Sequence, residues 1–268
     1  MNLIINPPRS NIAFCILDHP VYWYGIILTT AITVGILLSF LLIKKEYGIK
    51  KANEFVDYSP VLIVSSLIGA RLFYVLGSIE YYKNNIAEII FINHGGISIY
   101  GAIIFGIITL YIHLKKYKYN ILRYFDLVSI TLPLCQAIGR WGNFFNQEAY
   151  GKPTDSFLQL YIDYKYRYQE YKDFSYYTPA FLYESVLNTL LFILLITIHL
   201  KFKKIKPGTI FYLYLIMYGT IRIFIEQFRL DSISYINQIP IAQVISLIFI
   251  ILSICGLIYI YKIKKIDS

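Results

Sequence analysis

Charged residues are scarce in this chain. Only 15% of its 268 residues are Asp, Glu, Lys or Arg, whereas 57% are hydrophobic and the mean hydropathy is +0.56. Soluble domains carry about 25% charged residues, so this composition indicates a membrane protein. Apolar runs recur along the whole sequence without an intervening polar domain. We therefore expect one integral membrane domain over residues 1–268.

Cysteine is also rare, and its spacing excludes several kinds of site. The three cysteines are Cys15, Cys135 and Cys255, and no Cys-x-x-Cys or Cys/His metal-binding spacing exists. We expect them to be small, buried apolar side chains. The sequence has no phosphate-binding loop motif, and it predicts neither a metal site nor a cofactor. The first residues lack the pattern of a cleaved signal peptide.

Seven apolar segments approach the roughly 20 residues that a helix needs to cross a bilayer. Helices are expected because backbone groups find no partner in lipid and because the segments lack the alternation of strands. The sequence thus predicts an all-α polytopic membrane protein. The predicted spans are Val21–Ile43, Tyr58–Gly77, Ile97–Leu114, Tyr124–Ile138, Pro179–Leu200, Gly208–Phe228 and Pro240–Tyr261.

The basic residues predict the orientation of these spans. Of the 25 Lys and Arg residues, four follow each of the first, third and fifth segments and three follow the seventh. Positive loops stay cytoplasmic, so the N-terminus is predicted outside and the C-terminus in the cytoplasm. This distribution explains the net charge of +9 without a nucleic-acid partner. Residues 139–178 are too long for a turn and are predicted to form a small external cap.

Three arginines lie within or against the apolar segments: Arg71, Arg140 and Arg222. A charge at the centre of a membrane helix costs about 2.5–3.5 kcal/mol, and the predicted topology puts all three in the outer half of the membrane. Arg140 and Arg222 in one leaflet suggest a shared anionic partner, because guanidinium groups bind phosphate in a bidentate fashion. A phospholipid head group is the nearest candidate. Arg71 either reaches the same cavity or extends to the interface.

Polar partners accompany two of these arginines. In a helix, Asn143 would face the same side as Arg140, and Glu226 would lie one turn from Arg222. The second pair could also be no more than helix-stabilising.

Other polar residues occur in or beside further segments. "GGISIYG", residues 95–101, directs Tyr100 to the external side, and "TPAFLYES", residues 178–185, puts Tyr183 and Glu184 inside the membrane. Asp126 opens the fourth segment, where a charge at a helix start is a simpler explanation than catalysis.

The stretch "GRWGNFFNQEAYG", residues 139–151, resembles the signature G-R-x-G-N-F-x-N-x-E-x-x-G of the prolipoprotein diacylglyceryl transferases. Further blocks similar to that family follow its order, and the resemblance extends from about Tyr22 to Arg229. These blocks are "VYWYG", "GARLFYVL", "GGISIYG", "PAFLYE" and "YGTIRIFIEQFR".

The resemblance implies a multi-pass enzyme of the bacterial cell membrane. Such an enzyme moves a diacylglyceryl group from phosphatidylglycerol to the lipobox cysteine thiol of a prolipoprotein signal peptide. A thioether forms and glycerol phosphate is released. No cofactor is implied; the partners are the two substrates and membrane lipid.

The resemblance also implies roles for particular residues. Arg140, Arg222, Tyr24 and Tyr100 are expected to be catalytic. The expected substrate-binding residues are Arg140, Asn143, Asn146, Glu148, Gly151, Glu226 and Arg71.

One position departs from the family pattern. Tyr100 stands where many members have a histidine proposed as a base, so we expect Tyr100 to orient the thiol by a hydrogen bond, without a strict general base. His94 is expected to be a solvated loop residue. An alternative function is a membrane transporter or binding protein for an anionic solute or lipid. A transporter should show paired broken helices in two halves, and none are visible in the sequence.

Overall fold

The computed structural model describes residues 2–91, 95–202, 204–230, 235–236 and 239–262. Within these ranges, seven helices are long and apolar enough to cross a membrane, which confirms the predicted number of spans. They are α1 (Trp23–Tyr47), α2 (Ile49–Gly77), α4 (Ile99–Lys116), α5 (Ile121–Asn146), α6 (Ala180–Lys201), α7 (Thr209–Glu226) and α8 (Ile241–Lys262), with a short α3 (Ile79–Asn84) after α2. The orientation of the termini stays a prediction.

All seven helices differ slightly from their predicted bounds, and two extend well beyond them. α2 begins at Ile49 rather than Tyr58, and α5 runs from Ile121 to Asn146 rather than from Tyr124 to Ile138. Hydropathy detects only the part of a helix that lies in lipid, whereas Lys, Ala, Glu and Arg extend helices into polar surroundings. The extension of α5 means that residues 139–146 of the signature are helical. The non-helical part of the predicted cap, 139–178, therefore begins at Gln147.

The chain divides into two compact units. One comprises Met1–Ser39 with Phe125–Ser268, and the other comprises Phe40–Tyr124. In the second unit, α2 and α4 approach closely at two glycines: a Cβ on Gly69 would lie 2.5 Å from the carbonyl oxygen of Gly101. Small residues at such a crossing allow two membrane helices to pack backbone against backbone.

In the first unit, buried polar contacts join α5 to its neighbours. Ser39 Oγ of α1 lies 3.3 Å from Thr131 Oγ1. Asp126 is fully buried, and its carboxylate accepts hydrogen bonds from the backbone N–H groups of Gly208 and Phe211, both at 2.8 Å. Asp126 thus caps the start of α7. Asp126 does stabilise the start of a helix, as the sequence suggested. That helix is α7, however, and not α5, in which Asp126 lies.

Small β-elements accompany the helices, which the all-α expectation did not include. β1 (Leu3–Ile5) pairs in parallel with β4 (Leu158–Tyr161), which pairs antiparallel with β5 (Tyr176–Tyr177). β2 (Ile12–Ile16) and β3 (His19–Tyr22) form a hairpin that leads directly into α1, and β6 (Tyr235–Ile236) pairs with β7 (Ile239–Pro240).

The cap has its own hydrophobic core. Tyr150, Leu160, Ile162 and Tyr177 are almost fully buried and pack with Phe181 at the start of α6. The hydroxyl of Tyr150 donates to the carbonyl oxygen of Tyr166 and accepts from the backbone N–H of Tyr168, and burial raises the pKa of this phenol. The core therefore fixes the cap on the end of α6 next to the signature.

The cysteines do not form the buried set that the sequence suggested. Cys15 in β2 and Cys255 in α8 are exposed, and Cys135 in α5 is half-buried. α8 is exposed over most of its surface, so an apolar residue such as Cys255 can face lipid instead of the protein interior. The expectation was wrong because a membrane helix offers apolar surroundings on both of its sides.

Candidate active site

The last two turns of α5 carry the first half of the signature. Arg140 and Asn143 lie on one face, and Arg140 Nη1 donates to Asn143 Oδ1 at 3.2 Å. The neighbouring Trp141 and Phe144 pack on Phe181 of α6 with ring centroids 5.5 and 5.0 Å apart. These aromatic contacts offset the weak helix propensity of the two glycines. The helix therefore continues past the apolar segment and presents its polar face at a defined angle.

The chain leaves α5 through two residues in the left-handed region. Gln147 has φ 53° and Ala149 has φ 55°, a conformation that costs about 1–3 kcal/mol for residues other than glycine. The buried Gln147 side chain supports this turn, because it accepts from the backbone N–H of Asp163 at 2.7 Å and donates to Asp163 Oδ2 at 2.9 Å. Glu148 lies between these two strained residues.

Glu148 folds back onto the end of α5. Its Oε1 accepts hydrogen bonds from Asn143 Nδ2 at 2.9 Å and from Asn146 Nδ2 at 3.4 Å. Arg140, Asn143, Asn146 and Glu148 thus form one hydrogen-bonded group, whereas their binding of substrate stays a prediction. Gln147 was not among the predicted residues, and only its place inside the signature pointed to it.

Glu184 is the residue that sequence reasoning left without a role. Its side chain is 1% exposed in the second turn of α6. Its Oε1 lies 2.6 Å from Arg140 Nη2, and its Oε2 lies 3.8 Å from Arg222 Nη1 and 3.5 Å from Arg229 Nη1. One buried carboxylate therefore faces three guanidinium groups. We refer to Arg140, Arg222, Arg229 and Glu184 as the arginine cluster.

Arg222 and Glu226 pair as predicted. Arg222 Nη2 lies 2.7 Å from Glu226 Oε2, one turn along α7. The second nitrogen, Arg222 Nη1, is buried and makes no hydrogen bond within the described residues. Its charged partner among these residues is Glu184 Oε2, at 3.8 Å.

Tyr24 and Tyr218 complete the surroundings of the cluster. Tyr24, in the first turn of α1, packs its ring on Gly142. Tyr218 on α7 lies near the charged groups of Arg140, Glu184 and Arg222. Tyr218 was not predicted, although it stands one turn before Arg222 in α7.

Gly151 lies at the end of the signature where the chain is tightly enclosed. Its N–H donates to the carbonyl oxygen of Thr178 at 2.9 Å, and it forms a bridge with Arg229. A Cβ at this position would lie 2.9 Å from the carbonyl oxygen of Phe228. Gly151 therefore allows the cap to approach the segment that carries Arg229.

Arg71 and Tyr100 belong to the second unit. Arg71 is only 6% exposed, and its role toward the substrate or the membrane interface stays a prediction. Its guanidinium donates to Ile89 O at 2.9 Å, Gly95 O at 2.6 Å and Gly96 O at 2.7 Å, and also to the carbonyl oxygens of Glu88 and Phe91. Arg71 thus binds the chain ahead of α4.

The region around Tyr100 leaves two predictions open. Tyr100 lies in the first turn of α4 and is 42% exposed. His94 lies outside the described residues. The roles predicted for both stay predictions.

The arrangement in the first unit is suited to binding an anionic group at the edge of a membrane. Guanidinium groups from α5 and α7 are held by buried carboxylates, and the amides of Asn143 and Asn146 lie beside them. Among the described residues, no three His, Cys, Asp or Glu side chains could hold a metal ion together. The fold and the site define a multi-pass membrane protein with an arginine-lined polar site.

Comparison with known proteins identifies the family of this membrane protein. A model of the prolipoprotein diacylglyceryl transferases matches residues 11–259. The phosphatidylglycerol–prolipoprotein diacylglyceryl transferase of Acaryochloris marina is 40% identical over 243 residues, which cover 91% of this chain and 88% of the relative. The enzyme of the same name from Clostridium botulinum (strain Loch Maree / Type A3) is 39% identical over 257 residues, covering 95% and 97%. That of Listeria innocua is 40% identical over 261 residues, covering 96% and 91%.

The chain belongs to the prolipoprotein diacylglyceryl transferase family. It is a transferase of the bacterial cell membrane with several membrane-spanning helices.

Proposed function

We propose that this protein transfers the diacylglyceryl group of phosphatidylglycerol to the lipobox cysteine thiol of a prolipoprotein signal peptide. The observation that carries the proposal is the arginine cluster, in which Arg140 and Arg222 from two different helices flank the same buried carboxylate. Two fixed guanidiniums at the edge of apolar helices match a phosphate that carries its charge at the head of a lipid.

The proposed reaction forms one bond and breaks one. The cysteine sulfur, as a thiolate, attacks the glycerol carbon that is esterified to phosphate. A C–S bond forms, the C–O bond breaks, and its electron pair goes to the phosphate oxygen. Glycerol phosphate leaves, and the thiol proton passes to solvent or to the leaving phosphate. A free cysteine has a pKa near 8.5, so a modest stabilisation of the anion is enough to populate the thiolate.

The arginines contribute most where negative charge develops. As the C–O bond breaks, the phosphate gains charge, and preorganised donors in surroundings of low dielectric stabilise that charge by about 3–4 kcal/mol each. Arg222 Nη1, buried and without a hydrogen bond within the described residues, is the donor that we assign to the phosphate. Asn143, Asn146 and Glu148 form the polar wall beside Arg140, and Glu226 orients Arg222.

Tyr100 is assigned to the thiol side of the reaction, and Tyr24 to the surroundings of the arginine cluster. A neutral tyrosine has a pKa of about 10 and is a poor base at pH 7, but its oxygen can accept a hydrogen bond from the thiol. In this proposal Tyr100 orients the sulfur, and no side chain acts as a strict general base. Both substrates are embedded in lipid, so they would enter the site laterally from the bilayer. The site would lie within a single membrane domain.

A transfer assay with purified protein tests the proposal. The protein is mixed with phosphatidylglycerol vesicles and a lipobox peptide, and the peptide mass and gel mobility are measured. We expect the mass to rise by one diacylglyceryl group, and a peptide with serine in place of the lipobox cysteine to stay unmodified. Uptake of an anionic solute or lipid without any change in the peptide would instead support a transporter.

A further inference from the structure

Glu184 holds a position that the proposed reaction does not explain. Its carboxylate contacts Arg140, Arg222 and Arg229, although a negative charge opposes the binding of an anionic substrate at that point. Burying a carboxylate is also costly unless it is paired. We infer that Glu184 both positions the guanidiniums and limits how tightly the arginine cluster holds the phosphate that leaves. The inference rests on the proposed transfer.

The geometry supports the positioning part of this role. The three guanidiniums come from α5, from α7 and from the segment after α7, and they cannot lose their charge. Without an anion between them they would repel one another. Both oxygens of Glu184 are used, with Oε1 at 2.6 Å from Arg140 and Oε2 within 4 Å of the other two.

Neighbouring side chains hold the backbone at Glu184 in place. Ser185 Oγ donates to the carbonyl oxygen of Ala137 at 3.0 Å, which ties α6 to α5. The buried Asn188 donates to the carbonyl oxygen of Glu184 at 3.0 Å. These contacts fix the backbone at Glu184, and the carboxylate itself is held by the three guanidinium groups that it faces.

The change in phosphate charge during the reaction supports the role of Glu184 in limiting how tightly the product is held. The phosphodiester of phosphatidylglycerol carries one negative charge, whereas a phosphate monoester carries about −1.5 to −2 at pH 7. The product is therefore the stronger anion and would be held more tightly by guanidiniums alone. The fixed charge of Glu184 opposes the additional charge of the product more than the single charge of the substrate. Replacing Glu184 by Gln makes the cluster more positive by one unit, whatever other charges lie near Arg229 and Glu226.

The test compares two soluble anions that differ in this one charge. Glycerophosphoglycerol, the deacylated head group, is a diester, and glycerol phosphate is a monoester. The dissociation constants of both are measured by calorimetry for the wild type, Glu184→Gln and Glu184→Asp. The control is Glu80→Gln, which removes a carboxylate from an exposed ion pair with Lys83. The ratio of the two constants for one protein does not depend on the fraction that is correctly folded.

We expect Glu184→Gln to shift this ratio toward the monoester by about tenfold, the effect of one unit charge partly screened at close range. Glu184→Asp keeps the charge and should keep the wild-type ratio while it lowers the transfer rate. Glu80→Gln should change neither. A purely structural role of Glu184 would lower the yield of folded protein but leave the ratio unchanged.

Several results would overturn the inference: an unchanged ratio in Glu184→Gln, an Asp variant that shifts like the Gln variant, or a wild type that binds neither anion. If Glu184→Gln is not recovered in folded form, the two dissociation constants of the wild type test the inference instead. A wild type that binds glycerol phosphate more than about tenfold tighter than the diester does not limit product binding. A wild type that fails to transfer diacylglyceryl to the lipobox peptide contradicts the proposed function instead, whatever the ratio.

Discussion

The ring of Tyr24 occupies the space beside Gly142 that a side chain would fill. A Cβ at Gly142 would lie 2.7 Å from Tyr24 Cδ2, closer than carbon atoms can approach. This contact joins α1 to the signature on α5, two residues beyond Arg140. The two sequence blocks that contain Tyr24 and Gly142 are far apart in the chain, yet they form one surface.

Gly142→Ala should therefore impair transfer without preventing folding. The methyl group would displace the Tyr24 ring by about 1 Å, and a displacement of that size can lower a rate about 100-fold. Gly139→Ala is the matched control, because nothing lies within 4 Å of a Cβ at Gly139 in the same helix. Rates are measured in the transfer assay. Equal activity of the two variants would mean that the position of Tyr24 does not matter.

Lysine should not replace either arginine of the site. The guanidinium of Arg140 contacts both Asn143 and Glu184. The guanidinium of Arg222 contacts Glu226 through one nitrogen, and the other nitrogen is assigned to the phosphate. A lysine ammonium cannot make these contacts from a planar fork. We expect Arg140→Lys and Arg222→Lys to lower kcat/KM about 100-fold or more, at normal membrane abundance. Near-normal rates in both variants would argue against bidentate binding of phosphate.

Arg71→Ala should loosen the chain ahead of α4. Removal of the guanidinium takes this donor from five backbone carbonyl groups, of which Glu88 O keeps the N–H of Phe91. A buried carbonyl group that is left unpaired costs about 1–3 kcal/mol. We expect a lower unfolding temperature in detergent and faster proteolysis between residues 86 and 98. Lys83→Ala, which removes only an exposed ion pair, serves as the comparison. A variant with wild-type stability and proteolysis but no activity would indicate that Arg71 acts on substrate.

Three substitutions test which group interacts with the proton of the lipobox thiol. We expect Tyr100→Phe to lose activity because the hydrogen-bond acceptor is gone, and Tyr100→His to retain part of it. His94→Ala should be nearly silent. A fully active Phe variant, or an inactive but folded His94→Ala variant, would show that another group handles the proton.

The membrane orientation is tested by labelling. With the three native cysteines replaced by serine, single cysteines introduced within 155–175 should react with an impermeant maleimide in intact cells. This outcome follows from the lysine-rich loops, which place the cap outside. Labelling only after permeabilisation would reverse the topology.

The sequence predicted those features that depend on local chemistry. Apolar length identified seven spans, and the i,i+4 spacing of Arg222 and Glu226 predicted the ion pair that forms. The polar face of the signature followed from the helical spacing of Arg140 and Asn143. Each of these features needs only residues that are close in the chain.

Features that join distant segments were not predictable in this way. Glu184 belongs to the site because α6 brings it between α5 and α7, and no local pattern distinguishes it from a structural carboxylate. Asp126 binds the residue before a helix, Gly208, which lies 82 residues later in the chain. Hydropathy also ended α5 at Ile138, since it does not register the aromatic packing that continues the helix to Asn146.

The hydrogen bonds from the start of α7 to Asp126 give the helices that carry Arg140 and Arg222 a common reference point. Fourteen residues separate Asp126 from Arg140 on α5, and fourteen separate Gly208 from Arg222 on α7. At 1.5 Å per residue both arginines lie about 21 Å from the same buried carboxylate. Equal spacing from one fixed point lets two separate helices bring their guanidiniums to the same carboxylate, that of Glu184. One residue inserted into either helix would rotate its arginine by about 100° and break this alignment.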